Sequence, residues 1–196
     1  MSNTYFISDT HFHHKNILAY EPSRVKELAL YLKLSEEDLA EQLREAYAGN
    51  EALLESILDS HDRMIIRNWN EVVRGDDTIW FLGDFVCGSK DLARQIASKL
   101  NGRKRMIKGN HDHWNEQFYR SIGFEYVSKY PVVLKDRFIL SHAPLGSCPA
   151  PFYNVFGHIH FEHSQDVPTK GETHQCVCIE RTGFKPIRIE EYDKQK

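Results

Sequence analysis

The sequence predicts an α/β fold whose short buried strands end in a row of polar, metal-capable residues. Two observations carry this expectation. Five runs of β-branched, aromatic and aliphatic residues each stop at an Asp, Asn or His, and the stretches between several of them space their apolar residues as helices do. In open α/β sheets the crevice beyond the strand ends is where ligands bind. The length, 196 residues, suits one domain over 1–196 and is thin for two.

Thr4-Tyr5-Phe6-Ile7-Ser8 is the first strand and ends at Asp9. Some 65 residues of helical character follow before the next one. Within them Ser35-Glu36-Glu37-Asp38 resembles a capping box, and Leu39, Leu43, Ala46 and Tyr47 follow at helical spacing. Gly49-Asn50 breaks that helix, and Asn50 can cap another with Leu53, Leu54, Ile57, Leu58, His61, Met64 and Ile65 on one face. Asn68-Trp69-Asn70 is expected to end this long helix near the site, with Trp69 packed in the core. Residues 21–60 therefore read as a helical elaboration. Their charged faces carry Glu36, Glu37, Glu41, Glu45, Glu51 and Glu55, suiting either a stabilising cover or an acidic wall beside the site.

The second strand, Thr78-Ile79-Trp80-Phe81-Leu82, ends at Gly83-Asp84. Ser89 can cap a helix bearing Leu92, Ala93, Ile96, Ala97 and Leu100, closed by Asn101-Gly102. The third strand, Lys104-Arg105-Met106-Ile107-Lys108, ends at Gly109-Asn110, and residues 114–122 read as a short helix. Arg137-Phe138-Ile139-Leu140 ends at Ser141-His142, and Phe152-Tyr153-Asn154-Val155-Phe156 ends at Gly157-His158. Residues 174–191 alternate enough to predict two antiparallel strands around Arg181-Thr182-Gly183.

Composition narrows the function classes. The formal charge is 25 − 28 = −3 with a pI near 6.4, which disfavours a strongly basic nucleic-acid binder. No apolar run approaches the ~20 residues that span a bilayer, so no membrane association is expected. The N-terminus Met1-Ser2-Asn3-Thr4-Tyr5 has no basic n-region and no apolar h-region, so the expected location is cytoplasmic. There Cys87, Cys148, Cys176 and Cys178 are expected to be reduced. Cys176-Val177-Cys178 lacks the second Cys pair of a zinc site and reads as buried strand. The oligomeric state is not encoded in any pattern.

The eleven histidines are the informative feature. They bunch with Asp and Asn in Asp9-Thr10-His11, Gly83-Asp84, Gly109-Asn110-His111-Asp112, His142 and Gly157-His158-Ile159-His160. Carboxylate, imidazole and amide donors together suit borderline divalent metals such as Mn²⁺, Fe²⁺ and Zn²⁺. In an extended chain, residues i and i+2 point the same way, so Asp9/His11 and His158/His160 could each address one site. Glycines at 83, 109 and 157 would let the chain turn sharply after each strand. Each segment alone has an ordinary reading as a turn or cap; all five in order do not.

This ordered series resembles the motifs of the calcineurin-like metallophosphoesterase superfamily, from residue 4 to about 160. Ile7–Phe12 and Asp77–Asp84 are further similar to its small single-domain bacterial and phage members. The resemblance implies a four-layer α/β/β/α sandwich, here with a helical insertion after the first strand, and two divalent metal ions at the strand ends. It assigns Asp9, His11, Asp84 and His160 to one metal and Asp84, Asn110, His142 and His158 to the other, with Asp84 shared. Mn²⁺ is the first expectation, with Fe²⁺/Fe³⁺, Zn²⁺ or Ni²⁺ as alternatives. It places His111 over the substrate as a catalytic group, has Asp112 orient His111 through a hydrogen bond, and implies a metal-bridging hydroxide that cleaves a P–O ester.

Substrate contacts are expected from His14, Asn110 and His111. His13 and Lys15 are weaker candidates for the same role, as is the basic run Arg103-Lys104-Arg105. His113 and His163 fit no ligand slot. The Asp-Arg-Gly of the superfamily's protein phosphatases is absent after Gly83-Asp84, as is the Asp that its cyclic-nucleotide phosphodiesterases carry after a two-residue gap. The expected substrate is therefore a phosphate ester, with a nucleotide-type or single-stranded nucleic-acid phosphodiester favoured. A small-metabolite monoester is the alternative, and a non-catalytic scaffold is the reading from another class.

Overall fold

The structure is a computed structural model that describes residues 2–160 and 173–188. In chain order it has β1 (Thr4–Ile7), α1 (Ile17–Tyr20), α2 (Pro22–Leu32), α3 (Glu36–Tyr47), α4 (Glu51–Val72), β2 (Thr78–Phe81), α5 (Lys90–Lys99) and β3 (Arg103–Ile107). Then come α6 (Glu116–Ser121), β4 (Phe124–Ser128), β5 (Val132–Leu134), β6 (Phe138–Leu140), β7 (Tyr153–Phe156), β8 (His174–Cys176), a 3₁₀ turn (Ile179–Arg181) and β9 (Ile187–Arg188). One sheet has the order β4-β3-β2-β1-β9, the other β5-β6-β7-β8.

In the first sheet β1 to β4 are parallel and β9 is an antiparallel edge. In the second, β6, β7 and β8 are parallel and β5 is antiparallel to β6. Strand alternation sorts the first sheet's side chains. Phe6, Trp80, Leu82 and Ile107 face Phe138, Leu140, Val155 and Val177, so the sheets pack face to face. Tyr5, Ile7, Ile79, Phe81 and Met106 point the other way, into a core that takes buried residues from all six helices. The helix, sheet and sheet layers are thus explicit. The β7-to-β8 crossover runs through residues 161–172, outside the described residues.

The expected caps form. The side-chain oxygens of Ser35, Asn50 and Ser89 accept the N–H of Asp38 (3.0 Å), Leu53 (3.1 Å) and Leu92 (3.1 Å). The insertion packs through Leu28, Leu39, Leu43, Ala46, Leu54 and Leu58, and its six glutamates lie exposed. The long helix α4 runs opposite to expectation. Its far end is tied to the loop before β3, where Trp69 donates to the carbonyl of Asn101 (3.0 Å) and Asn70 to that of Lys99 (2.8 Å). Its middle, with His61 and Asp62, underlies the loop after β1 and the start of α2.

The tail corrects another expectation. β8 and β9 do not pair with each other: β8 extends the second sheet and β9 the first. The chain crosses between sheets at Cys176–Arg181. There Val177 joins both, donating to Phe156 (2.7 Å) and accepting from Ser8 (3.0 Å). Among the described residues no helix is long and apolar enough to cross a membrane.

Candidate metal centre

Five strands (β1, β2, β3, β6 and β7) carry the polar segments at their C-terminal ends, and the two sheets meet along that rim. Asp9 donates its N–H to Gly83 (2.9 Å) and Gly157 to His142 (2.8 Å), so neighbouring loops are latched to one another. The loops are not extended. Asp9, His11, Asp84 and His158 have φ of 57, 46, 61 and 70°. Left-handed backbone at four non-glycine residues is uncommon and concentrates at functional loops. Strand alternation is therefore not what aims these side chains, and His158 and His160 go to different clusters.

Asp9, His11 and His160 form one cluster, and Asp84, His142 and His158 a second; His11, His14, Cys87 and His111 also converge, as do Glu21, His160 and Glu180. The two aspartates are held alike. In Asp9 one oxygen, Oδ2, accepts the backbone N–H of His158 (2.9 Å) and the thiol of Cys178 (3.1 Å). The other, Oδ1, is buried without a hydrogen bond and faces His160 Nε2 (3.6 Å) and His11 Nε2 (4.0 Å). In Asp84, Oδ1 accepts the N–H of His111 (2.8 Å), while Oδ2 lies 3.5 Å from His11 Nε2 and 3.5 Å from His142 Nε2. Asp84 thus faces both clusters.

Asn110 completes the second cluster, its Oδ1 2.8 Å from His142 Nε2 and 3.0 Å from His158 Nδ1. His142 Nδ1 lies 2.8 Å from the carbonyl of Leu82, which fixes the proton there and leaves Nε2 as a lone pair. That lone pair then points at the oxygens of Asn110 and Asp84. Among the described residues no Lys or Arg pairs with the carboxylates of Asp9 or Asp84. Carboxylate, imidazole and amide atoms converging with no Lys or Arg between them are a donor set suited to divalent metal.

Titration behaviour follows the crowding. Burial, with Arg24 and neighbouring imidazoles, holds His11 well below its ordinary value. Burial pushes Asp84 up, His142 pulls it down and Asp9 adds to the rise. Burial lowers His158, with His142 next. His160 differs: burial pulls it down, but Glu180 outweighs this and raises it to about 9.

Glycine matters here for space. A Cβ on Gly109 would collide with Asp84 Oδ1 and come within 2.7 Å of the Asp84 backbone N and of His142 Cε1. One on Gly157 would collide with Asp9 Oδ2. Of the three loop glycines, only Gly83 has a positive φ, at 103°.

His111 and His14 lie beside the centre. Their rings are 5.1 and 5.4 Å from that of His11 and 6.0 Å from each other. His13 turns away, between Asp62 (3.3 Å) and Glu55 (2.8 Å); the Asp62 hydrogen bond leads in raising it to about 9. Next to His111 is a pocket of about 260 Å³ lined by Val86, Cys87, Gly88, His111, His113 and Trp114. Burial pushes the Cys87 thiol up to about 12. His163 lies outside the described residues.

The Asp112 carboxylate is engaged away from the His111 ring. Its carboxylate accepts the backbone N–H groups of Asp84 (2.8 Å), Gly109 (2.8 Å) and Phe85 (3.1 Å) and the hydroxyl of Tyr119 (3.2 Å). Four donors occupy a carboxylate's acceptor sites, and none is the His111 ring. Asp112 therefore clamps the Asp84 and Asn110 loops together.

Two charged residues that no sequence pattern marks lie under the centre. Arg24 of α2 and Glu180 of the 3₁₀ turn are paired at 2.6 Å beneath the centre, both side chains fully buried. Burial raises the Glu180 carboxyl, but Arg24 and His160 outweigh it and hold it at about 2. With the partners 156 positions apart, no local pattern could reveal the pair.

The profile of the family described as calcineurin-like phosphoesterase matches residues 2–184. An uncharacterized protein of Methanocaldococcus jannaschii, MJ1445, is 29% identical over 97% of this chain and 89% of its own length. The gene 66 protein of Mycobacterium phage L5 is 32% identical over 65% of this chain and 52% of its own. The crystal structure of a protein of unknown function from Aquifex aeolicus, AQ665, superposes with a TM-score of 0.66 at 23% identity, covering all of both chains, and so shares the fold. The ordered motifs, the two-sheet fold and the nearly full-length profile match agree: the chain belongs to the calcineurin-like phosphoesterase family of metal-dependent phosphoester hydrolases.

Proposed function

We propose that the protein is a dinuclear phosphodiesterase acting on a nucleotide-type ester. The observation that carries the dinuclear reading is the single oxygen, Asp84 Oδ2, set 3.5 Å from an imidazole of each cluster. Asp9, His11, His160 and Asp84 would hold one divalent ion, and Asp84, Asn110, His142 and His158 the second, with Mn²⁺ the candidate that suits mixed N and O donors. Two such ions supply Lewis-acid charge to a phosphoryl group and an activated water.

The chain's own residues do the rest. The backbone N–H of His111 bonds Asp84, which stations the imidazole at the pocket mouth to protonate the departing ester oxygen. His14 lies beside His11 of one cluster and Asn110 within the other, so both would reach a phosphoryl group held between the two ions. The diester reading is supported by the sequence, which lacks the protein phosphatases' Asp-Arg-Gly after Gly83-Asp84, and by the room beside His111 for the alcohol portion of an ester. Trp114 and His113 offer ring surfaces for a leaving nucleoside. The test compares kcat/KM for a chromogenic phosphodiester and its monoester in Mn²⁺-supplemented protein. A diester preference of tenfold or more is expected; a preference for the monoester overturns the substrate class, and no hydrolysis of either with two ions bound restores the scaffold reading.

A further inference from the structure

We propose that Glu180 is a positioning residue for one half of the metal centre, fixing the His160 imidazole, and that Arg24 of the helical insertion holds Glu180 in place. The proposal rests on the reading of Asp9, His11 and His160 as ligands.

Glu180 Oε1 lies 2.9 Å from His160 Nδ1. A carboxylate there accepts a proton carried on Nδ1 and leaves Nε2 as the electron-pair donor, and Nε2 is the atom facing Asp9 Oδ1 at 3.6 Å. The same turn grips the backbone: Arg181 donates to the carbonyls of Ile159 (3.1 Å) and His160 (2.8 Å). Side chain and main chain of His160 are therefore both set by residues 180 and 181.

Arg24 directs all three guanidinium nitrogens to this corner, and Nη1 also approaches His61 Nε2 (3.4 Å). Nε donates to Glu180 Oε1 (2.7 Å), Nη2 to the carbonyl of Asp9 (2.6 Å) and Nη1 to that of Thr10 (2.9 Å). It thus ties the left-handed Asp9 loop to the carboxylate that orients His160. A buried ion pair is a poor source of stability, because desolvating two charges costs about what their attraction returns. A mere cover for the sheet could use leucines, as α3 and α4 do. Glu21 also approaches, 4.0 Å from His160 Nδ1, which makes a separate cation site from Glu21, Glu180 and His160 conceivable on distance. The Arg24 guanidinium already puts positive charge on Glu180, which argues against that alternative.

The matching corner of the other cluster is built differently. His142 Nδ1 meets a neutral carbonyl, that of Leu82. Among the described residues only the Asp9 half has a charged partner behind its imidazole, so weakening that partner should act on one ion of two.

The test titrates metal-free wild type and Glu180→Gln with Mn²⁺ by calorimetry, with bound metal counted by elemental analysis. Wild type should bind two ions per chain. The variant should bind one normally and the other ten- to a hundredfold more weakly, the usual scale for loss of a ligand's hydrogen-bonded partner. In metal-free, ¹⁵N-histidine-labelled protein, the hydrogen-bonded Nδ1–H signal of His160 should move upfield in the variant, which a purely structural role would not require. Should Glu180→Gln fail to fold, Glu180→Asp, which retains the charge, is read by the same criterion with a smaller effect. Two ions bound with unchanged affinities, or both weakened equally, would overturn the proposal while leaving the proposed function intact. Three ions in wild type, one of them lost in the variant, would make Glu180 a ligand and overturn it as well. A wild type that binds no metal would remove the functional reading itself.

Discussion

Replacing Asp112 with Asn separates a clamp from a catalytic helper. One carboxylate oxygen becomes an NH₂ group that can only donate. The least damaging orientation puts it where Oδ1 sits, because the Tyr119 hydroxyl can rotate to accept. The N–H of Phe85 then faces another donor, while Asp84 and Gly109 keep a neutral acceptor in place of a charged one. An orphaned buried donor costs about 1–3 kcal/mol, and each bond weakened from charged to neutral roughly 1 kcal/mol. Against this, burial already pushes the Asp112 carboxyl up, so Asn recovers part of the desolvation cost. A net loss of about 2–4 kcal/mol follows, or roughly 4–16 °C in Tm for a chain of this size. The assay is calorimetric melting of the metal-free protein, with the change made alone and in a His111→Ala background. The stability losses should add within about 0.5 kcal/mol, as for independent sites. A Tm within a degree of wild type alongside a hundredfold fall in kcat would refute the clamp and restore Asp112 as the partner of His111.

Asp84→Asn should lower occupancy of both metal sites together, as read by metal analysis; full retention of one ion would remove its shared role. His111→Ala should keep two ions per chain yet cut kcat by roughly 10²-fold or more, the scale of a lost general acid, and metal loss in step with activity would make it a ligand. Asp77 tests the acid limb of stability. Burial pushes its carboxyl up, but the N–H groups of Asn3 and Arg74 outweigh this, so it titrates below its unfolded value. Its contribution is present above the unfolded pKa of ~3.9 and is lost as pH falls through the lower folded value. Asp77→Asn should therefore flatten the decline of metal-free Tm below about pH 4, and an unchanged slope would count against it.

Much of the centre was legible because its chemistry is local. Each candidate ligand segment follows a short apolar run, so hydrophobic patterning located the strand ends and the residue types there pointed to the converging polar atoms. What escaped depends on distant partners. Arg24 and Glu180 look like ordinary surface charges until folding buries them together. Asp112 was given to its sequence neighbour His111, although its carboxylate serves backbone amides of two loops. The tail alternates like a hairpin, yet Val177 sits where both sheets compete for it, and the chain divides between them. β4 was passed over because its burial is irregular beside a register shift at Lys104/Arg105.

The crossing of the tail between the sheets has a consequence for how the centre comes into being. Bonds that shape it close spans of 149 residues (His158 to Asp9), 156 (Arg24 to Glu180) and 169 (Cys178 to Asp9). Contacts so remote in sequence make for slow assembly, since the chain must be looped before they reward it. On a ribosome, Asp9 and His11 are made first and wait for residues 158–181 before their surroundings exist. The first sheet's parallel core and the insertion can form around a vacancy that the last part of the chain closes. Any metal that this centre takes up would thereby be captured late, after the last part of the chain has closed it.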